Sequence, residues 1–158
     1  MQFDDYQQIV RRRYEYAISI DTRDWDLHRS IFTDRIEMDF SSYSGAPGSV
    51  MAADDWVEGL KPLFTGLDAT QHVMTNPIVG VHADQAELKM YMKAEHFLNN
   101  DAGSFDFALG GYYHDRLVRT DSGWRIRAVT LNVFWSRGNR HIMELGRQRG
   151  LEQLGLTG

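Results

Sequence analysis

The pattern of apolar and polar positions predicts helices in the first third of the chain. Apolar residues recur about every 3.6 positions from Phe3 to Ser19, which is typical of an amphipathic helix. A second, short helix is predicted from Trp25 to Ile31, because the Asp24 carboxylate can accept the free amides of its first turn. A strand from Arg35 to Phe40 and a loop of small, turn-forming residues at 41–49 follow.

Helix periodicity returns once and is then replaced by a period of two. A third helix is predicted from Ala53 to Phe64, and after Gln71 the alternation indicates strands joined by hairpin turns. The predicted strands run from His72 to Val81, Ala86 to Leu98, Ser104 to Arg119 and Trp124 to Trp135. Three helices before a long antiparallel meander predict an α+β fold, with the helices covering one face of a curved sheet.

A single domain is predicted over residues 1–141. The chain has 158 residues, close to the usual size of one domain, and it contains no repeat or linker. Residues 142–158 are interrupted by glycine and are predicted to be a C-terminal tail, either an appended helix or a frayed end.

The last predicted strand carries apolar residues on both faces, which suggests self-association. Its even positions are expected beneath the helices: Trp124, Ile126, Ala128, Thr130, Asn132 and Phe134. Its odd positions end in an apolar stripe that is expected on the outer face: Val129, Leu131, Val133 and Trp135. Phe105, Phe107 and Leu109 of the neighbouring strand could extend it. An exposed stripe of this kind is costly in a monomer, so we predict a homo-oligomer packed through it.

Composition and charge exclude several classes of protein. Apolar residues make up 42% of the chain and charged residues 25%, as in ordinary globular proteins. The net charge of −5 lacks the basic footprint of nucleic-acid binding. There are no cysteines, and neither a signal peptide nor a membrane span is evident, so a cytoplasmic location is expected without a membrane partner. Aromatic residues make up 12%, which suits either a pocket for a flat organic molecule or a large core.

The histidines do not form a recognisable metal motif. None of the pairs among them has zinc-protease spacing, and no compact facial triad is present. They are His28, His72, His82, His96, His114 and His141. The Gly45–Ser49 stretch lacks the lysine of a phosphate loop, and Gly110-Gly111 is not a dinucleotide fingerprint. We therefore expect neither a metal nor another cofactor.

The strongest candidates for chemistry are His72 and Asp21. His72 begins a predicted strand, and Asp21 lies where the first helix ends, so both could reach a cavity beneath the helices. A carboxylate bonded to one imidazole nitrogen fixes the tautomer and raises the basicity of the other, which suits removal of a proton beside a carbonyl. The alternative interpretations are a core histidine and an aspartate that caps the second helix.

Two further parts of the chain could contribute polar side chains. Tyr16 lies on the first helix and could donate a hydrogen bond to a carbonyl or a leaving hydroxyl, although helical tyrosines are often simply core residues. Tyr112, Tyr113 and His114 alternate between the two faces of a strand, and the preceding glycines leave open which of them faces a pocket.

Several short motifs together resemble the SnoaL-like domain of the nuclear-transport-factor-2-like superfamily over about residues 3–137. The motifs are Ile20-Asp21-Thr22-Arg23-Asp24-Trp25-Asp26, Thr70-Gln71-His72, Gly110-Gly111-Tyr112-Tyr113 and Ser122-Gly123-Trp124-Arg125-Ile126. Within this family the arrangement is most similar to scytalone dehydratase, bile-acid 7α-dehydratase and lindane dehydrochlorinase. The resemblance implies a cone-shaped, cystatin-like α+β barrel, an Asp–His dyad, no cofactor and often a trimer.

The resemblance also assigns residues. It implies Asp21 and His72 as the dyad, Tyr16 as a catalytic tyrosine and Asn132 as a pocket asparagine. Phe40 stands where the scytalone enzyme has a pocket tyrosine, and that enzyme's second pocket histidine falls near the paired glycines, where this chain has none. We accordingly expect Asn132, Tyr112 and Phe40 to contact substrate.

The predicted function is a cofactor-independent lyase of the dehydratase type. Its substrate would be a hydrophobic cyclic, polyketide-like or steroid-like small molecule, with His72 as the base and Asp21 as its partner. An isomerase or cyclase using the same base is an alternative within catalysis. A non-catalytic binding protein, such as a dioxygenase-type accessory subunit, is the alternative from another class, because this superfamily contains such proteins.

Overall fold

The computed structural model describes residues 3–157, and it contains five helices and six strands within that range. The helices are α1 (Phe3–Thr22), α2 (Trp25–Ser30), α3 (Ser41–Ser44), α4 (Ala53–Gly66) and α5 (His141–Gln153). The strands are β1 (Phe32–Asp39), β2 (Ser49–Ala52), β3 (Ala69–His82), β4 (Gln85–Phe97), β5 (Asp106–Thr120) and β6 (Gly123–Gly138). None of the described helices is long and apolar enough to cross a membrane.

All six strands form one sheet in the order β2-β1-β6-β5-β4-β3. The β1–β6 pair is parallel and the other pairs are antiparallel. Within residues 3–157 the sheet does not close on itself, since β2 and β3 are its edges. The α+β class and the packing of helices on a mostly antiparallel sheet are as predicted.

The helices begin and end close to their predicted positions. The first helix extends beyond Ser19 to Thr22. At the start of α2, the Asp24 carboxylate accepts the Leu27 backbone N–H at 3.0 Å, as its place before the helix predicted. The predicted loop at 41–49 is wrong in part, because it contains the single turn α3 and the first residue of strand β2, which the sequence did not reveal.

The inner face of the sheet supplies most of the core. In β4 every second residue is buried, in the row Ala86, Leu88, Met90, Met92, Ala94 and His96. The intervening residues face outward, and most of them are charged or polar. This strict period of two is the pattern of a strand with one face in the core. It sets the direction in which each β4 side chain points, including that of His96.

The predicted register of β6 is wrong beyond Arg127. Two β-bulges add residues to this strand, one beside the Arg116–Leu117 step of β5 and one beside Gly110–Gly111. Each extra residue exchanges the inner and outer faces of the positions that follow it. Trp124 and Ile126 are buried as expected, but from there the inward positions are odd, and Asn132 pairs with Tyr112 on the outer face.

The apolar stripe expected on the outer face is therefore largely buried within the chain. Val129 is 1% exposed and Leu131 is 3% exposed. Phe107 and Leu109 of β5 are buried as well. These residues do not form the predicted interface, and self-association itself stays a prediction.

The C-terminal residues form α5, which packs on α4 with almost no space between the two backbones. A Cβ atom at Gly150 would lie 1.7 Å from the Pro62 carbonyl oxygen, and one at Gly66 would lie 1.7 Å from the Gly146 carbonyl oxygen. Glycine is required at these positions because any side chain would force the helices apart. Ile142 at the start of α5 is fully buried. This close contact holds α5, including Met143, against α4.

We expect Gly150→Ala to lower the free energy of unfolding by about 1–3 kcal/mol, as overpacking of a rigid contact does. Urea denaturation measures this change. The matched control is Gly59→Ala in α4, where an added Cβ meets nothing within 4 Å. Because alanine is the better helix former, the control should raise the free energy of unfolding by about 0.5–1 kcal/mol. Equal effects of the two substitutions would contradict the close packing of α4 and α5.

Candidate active site

Asp21 and His72 are joined by two hydrogen bonds. Asp21 Oδ1 lies 2.7 Å from the ring nitrogen His72 Nδ1, and Asp21 Oδ2 accepts the His72 backbone N–H at 2.7 Å. Because a carboxylate only accepts, Nδ1 carries the proton, and in the neutral form of the ring Nε2 has the free lone pair. The Asp21 side chain is 17% exposed and that of His72 is 5% exposed. The carboxylate thus fixes both the position and the tautomer of the imidazole.

The end of α1 holds Asp21 in place through its neighbours. Thr70 Oγ1 donates to Asp21 Oδ1 at 2.9 Å, and an Arg23 NH group donates to Thr70 Oγ1 at 2.9 Å. Arg23 adopts a left-handed backbone conformation with φ of 60°, just after the helix ends. From there its Nε donates to the Phe64 carbonyl oxygen at 2.7 Å, which connects α1 to α4. Sequence reasoning missed Arg23, although it stands beside Asp21.

The carboxyl group of Asp21 is held in its charged form. Burial by itself would raise its pKa, but the hydrogen bonds and charge interaction with His72, together with the Thr70 hydroxyl, outweigh burial and lower the pKa. Asp21 is therefore a carboxylate at neutral pH. A carboxylate at this distance stabilises positive charge that forms on the imidazole ring.

His72 lines a cavity of about 150 Å³ between the sheet and the helices. Tyr16, Phe40 and Tyr43 come from the first third of the chain, and Trp56, Leu60, Leu63 and Phe64 come from α4. The remaining wall consists of His72, Met92, Ala94, His96, Leu109, Tyr113, Leu131 and Met143. Most of these side chains are apolar, so the imidazoles and phenols are the main polar groups that a bound molecule meets.

His96 is a second cavity histidine, which the sequence analysis failed to single out. Its ring lies edge-on to that of His72, with ring centroids 5.8 Å apart, and its Nδ1 donates to the Phe107 carbonyl oxygen at 3.1 Å. Burial, and next the charge of a protonated His72, lower the pKa of His96 to about 4, so the ring is neutral at physiological pH. The signal that could have found it is the period of two along β4, in which His96 continues the buried even positions.

Two tyrosines form the other polar part of the cavity wall. Tyr16 on α1 and Tyr113 on β5 have ring centroids 5.6 Å apart, and both are almost fully buried. Burial raises the pKa of both phenols, that of Tyr113 well above its usual value. Both therefore stay protonated and can donate hydrogen bonds. Tyr113 answers the open question about residues 112–114, because it alone of the three lines the cavity.

The structure brings four of the six predicted site residues together. His72 and Tyr16 both line the cavity, Asp21 is hydrogen-bonded to His72, and Phe40 lines the wall with its ring centroid 5.2 Å from that of Trp56. The other two predicted substrate contacts do not line the cavity: Asn132 and Tyr112. They lie on the outer face of the sheet, Asn132 because of the β6 bulge beside the Arg116–Leu117 step, and there Tyr112 packs against Phe134.

His28 lies behind Tyr16 and is fully buried. Its Nδ1 is 2.9 Å from Ser19 Oγ, which itself donates to the Tyr16 carbonyl oxygen, so Nδ1 must carry the proton. Burial lowers the pKa of His28 to about 3. Its ring packs 4.9 Å from the Tyr16 ring and holds that phenol from one side.

Among residues 3–157 no group of three or more metal-ligating side chains is close enough together to bind a metal ion.

Comparison with known proteins agrees with this fold. A family model described as a SnoaL-like domain matches residues 1–130. A dehydratase of Pestalotiopsis microspora is 26% identical over 144 residues, which cover 86% of this chain and 91% of the relative. The crystal structure of Kfla4162 from Kribbella flavida has a TM-score of 0.85 at 29% identity and covers 89% of this chain and 97% of its own. A candidate scytalone dehydratase of Novosphingobium aromaticivorans has a TM-score of 0.73 at 20% identity, covering 85% and 87%.

The neutral, buried histidines should make the protein sensitive to mild acid. The folded protein holds His28 and His96 uncharged, while in the unfolded chain they take up protons below a pKa of 6.5. Their folded-state pKa values are lowered, so this stability is present above pH 6.5 and is lost as the pH falls towards about 4. Each histidine changes the free energy of unfolding by up to about 1.4 kcal/mol per pH unit.

Urea denaturation between pH 4 and 7 tests this dependence with His96→Gln, which cannot titrate. We expect the free energy of unfolding of the variant to depend less steeply on pH than that of the parent protein in this window, by the equivalent of about one proton. His82→Gln is the control, because His82 is exposed at the end of β3 and should leave the slope unchanged. An unchanged slope in His96→Gln would contradict the account of the cavity histidine.

Proposed function

Because the chain belongs to the SnoaL-like domain family, we propose that it is a cofactor-independent lyase that eliminates water or a similar group from a small cyclic molecule. Family membership and the dehydratase among its relatives support a dehydratase-type or isomerase-like enzyme. The observation that carries the finer proposal is the His72 imidazole, bonded to Asp21 at 2.7 Å on one side and bordering an apolar cavity on the other.

In the proposed reaction, His72 acts as a general base. Its Nε2 lone pair removes a proton from the carbon next to a carbonyl, and the electron pair of that C–H bond moves towards the carbonyl oxygen as an enolate. The Asp21 carboxylate, whose pKa is lowered, stabilises the imidazolium that forms. The proton is removed in a cavity with few polar groups. Water screens the interaction between the carboxylate and the imidazolium less there, so this interaction is stronger.

Elimination is completed when the leaving oxygen departs. The enolate electron pair forms the carbon–carbon double bond, the bond to the leaving oxygen breaks, and the proton held by His72 passes to that oxygen to release water. The phenols of Tyr16 and Tyr113 would donate hydrogen bonds to the developing oxyanion. His96 Nε2, on a ring whose Nδ1 is already bonded to the Phe107 carbonyl oxygen, would accept a hydrogen bond from a substrate hydroxyl.

The size of the cavity favours a compact substrate. A closed apolar cavity of about 150 Å³ holds one benzene ring. The cavity here has that volume and opens to the surface, so a single ring with small substituents fits inside it, whereas most of a steroid with four rings would extend outside. Of the predicted substrate types, the single-ring compounds are therefore proposed first.

Two other interpretations share parts of this site. An isomerase or cyclase would use the same base and return the proton to another carbon without losing a group. A binding protein, such as a dioxygenase-type accessory subunit, would use the cavity alone.

A cytoplasmic location and assembly into a trimer or dimer remain proposals. The exposed outer-face side chains Ile78, Tyr91 and Phe134 favour assembly, and Phe134 is 61% exposed.

We expect His72→Ala to reduce turnover about 10²–10⁴-fold while the protein stays folded, since that is the usual contribution of a general base. Single-ring hydroxy-ketones are incubated with each protein and analysed by mass spectrometry and absorbance. Loss of the mass of one water, dependent on His72, is the expected result. His82→Ala, at an exposed histidine on β3, is the matched control and should keep full activity.

The other outcomes identify the alternatives. Unchanged mass with a shifted absorbance spectrum would indicate an isomerase. Ligand binding without any conversion would indicate a binding protein. Full turnover by His72→Ala would contradict the proposed base directly.

A further inference from the structure

The least expected feature of the core is an ion pair sealed behind the cavity. Arg13 of α1 and Asp115 of β5 are both fully buried, and Arg13 Nε donates to Asp115 Oδ2 at 2.6 Å. A second hydrogen bond runs from an Arg13 NH₂ group to Asp115 Oδ1, so the pairing is bidentate. These residues lie 102 positions apart in sequence, and the pair therefore joins the first helix to the centre of the sheet.

The Arg13 guanidinium lies over the rings of both cavity tyrosines. Its central carbon is 4.3 Å from the centroid of the Tyr16 ring and 3.7 Å from that of the Tyr113 ring. Sequence spacing produces this arrangement. Arg13 and Tyr16 are three residues apart on a helix, and Tyr113 and Asp115 are two residues apart on a strand, so each pair shares one face.

Stability alone does not explain this arrangement. Removing two charges from water is costly, and a well-packed apolar pair of similar volume is often as stable as a buried ion pair or more so. Arg13 even leaves one of its NH groups, NH1, buried without a hydrogen-bond partner among the described residues. A role in the properties of the neighbouring tyrosines accounts for a charge at this position.

A cation over the face of a phenol ring changes what the phenol can do. When the hydroxyl donates a hydrogen bond to an anionic oxygen, negative charge shifts into the ring, and a cation above the ring stabilises that charge. The charge of Arg13 opposes the effect of burial and lowers the pKa of Tyr16 and Tyr113 relative to burial alone, and the charge of Asp115 raises each pKa by less than Arg13 lowers it. Both phenols stay protonated, yet each becomes a stronger hydrogen-bond donor.

We propose that Arg13 and Asp115 are positioning residues which hold Tyr16 and Tyr113 side by side and strengthen them as donors to an oxyanion in the cavity. Arg13 supplies the charge, and Asp115 holds the guanidinium in place over the two rings. This inference rests on the proposed function, because it concerns the part of the cavity that would bind the enolate oxygen.

Binding of para-fluorophenol tests the inference without knowledge of the substrate. This compound is a single ring that fits the cavity, and fluorine NMR distinguishes its phenol from its phenolate form. The parent protein should bind the phenolate in preference to the phenol, which appears as a lower pKa for the bound ligand than for the free ligand. The test variant is Arg13→Met/Asp115→Leu, which removes both charges together and leaves no unpaired charge in the core.

We expect the double variant to reduce the preference for phenolate about tenfold, which equals one pKa unit of the bound ligand. Arg13→Gln/Asp115→Asn is a second variant, in which a neutral hydrogen-bonded pair replaces the ion pair, and it should show the same loss. Circular dichroism verifies that each is folded. The control is Arg119→Met, because Arg119 also lies over an aromatic ring, that of Trp124 at 4.5 Å, and pairs with Asp5 and Asp84 away from the cavity.

The control should keep the preference of the parent protein. An equal preference in the parent and in a folded neutral variant would overturn the inference. So would a parent protein that binds the phenol more tightly than the phenolate. Neither result depends on turnover, so the proposed lyase reaction stands or falls separately, by the His72→Ala comparison.

Discussion

The Asp21 carboxylate holds His72 at two points, and this contact joins α1 to the first part of β3. One oxygen accepts the ring Nδ1–H and the other accepts the backbone N–H of the same residue. The histidine can therefore neither rotate nor exchange its tautomer without losing a charged hydrogen bond in a site shielded from water. The left-handed turn at Arg23 and the Thr70 hydroxyl hold the carboxylate in turn. In the proposed reaction, a base whose orientation is set in this way is ready for proton transfer before substrate binds.

Around this contact the protein keeps charge out of the cavity but places it directly behind the cavity wall. His28 and His96 are neutral because burial lowers their pKa, and the two tyrosines are neutral because burial raises theirs. The charged groups, Asp21 and the Arg13–Asp115 pair, touch the cavity residues from the outside. In the proposed reaction, an apolar substrate would meet donors and acceptors whose strength is set by charges it does not contact. This layering would allow a hydrophobic ring to bind while negative charge on one of its oxygens is stabilised.

Local sequence patterns predicted the helices and strands well. They predicted the position of a site residue only where the spacing of neighbouring residues determines it. The period of two in β4 and the Asp24 cap of α2 are properties of a few neighbouring residues. The β6 register depends instead on two bulges, which no local pattern reveals, and the first of them turns Asn132 to the outer face. The approach of Asp21 to His72 is a contact across 51 positions, and it was expected because the helix end and the strand start were assigned to one cavity and because the family resemblance implied the pair. Arg13 ends a run of three arginines at 11–13, a pattern typical of a solvated helix face, yet its side chain is buried against Asp115.

The central claim is that the Asp21–His72 contact presents a neutral imidazole with its Nε2 lone pair towards the cavity. Nitrogen NMR of histidine-labelled protein tests this most directly, because it distinguishes the two tautomers of each ring. His72 should show a protonated Nδ1 and an unprotonated Nε2, and Asp21→Asn should change this signal more than that of any other histidine. A His72 ring with its proton on Nε2 would contradict the account, since it could not act as the proposed base.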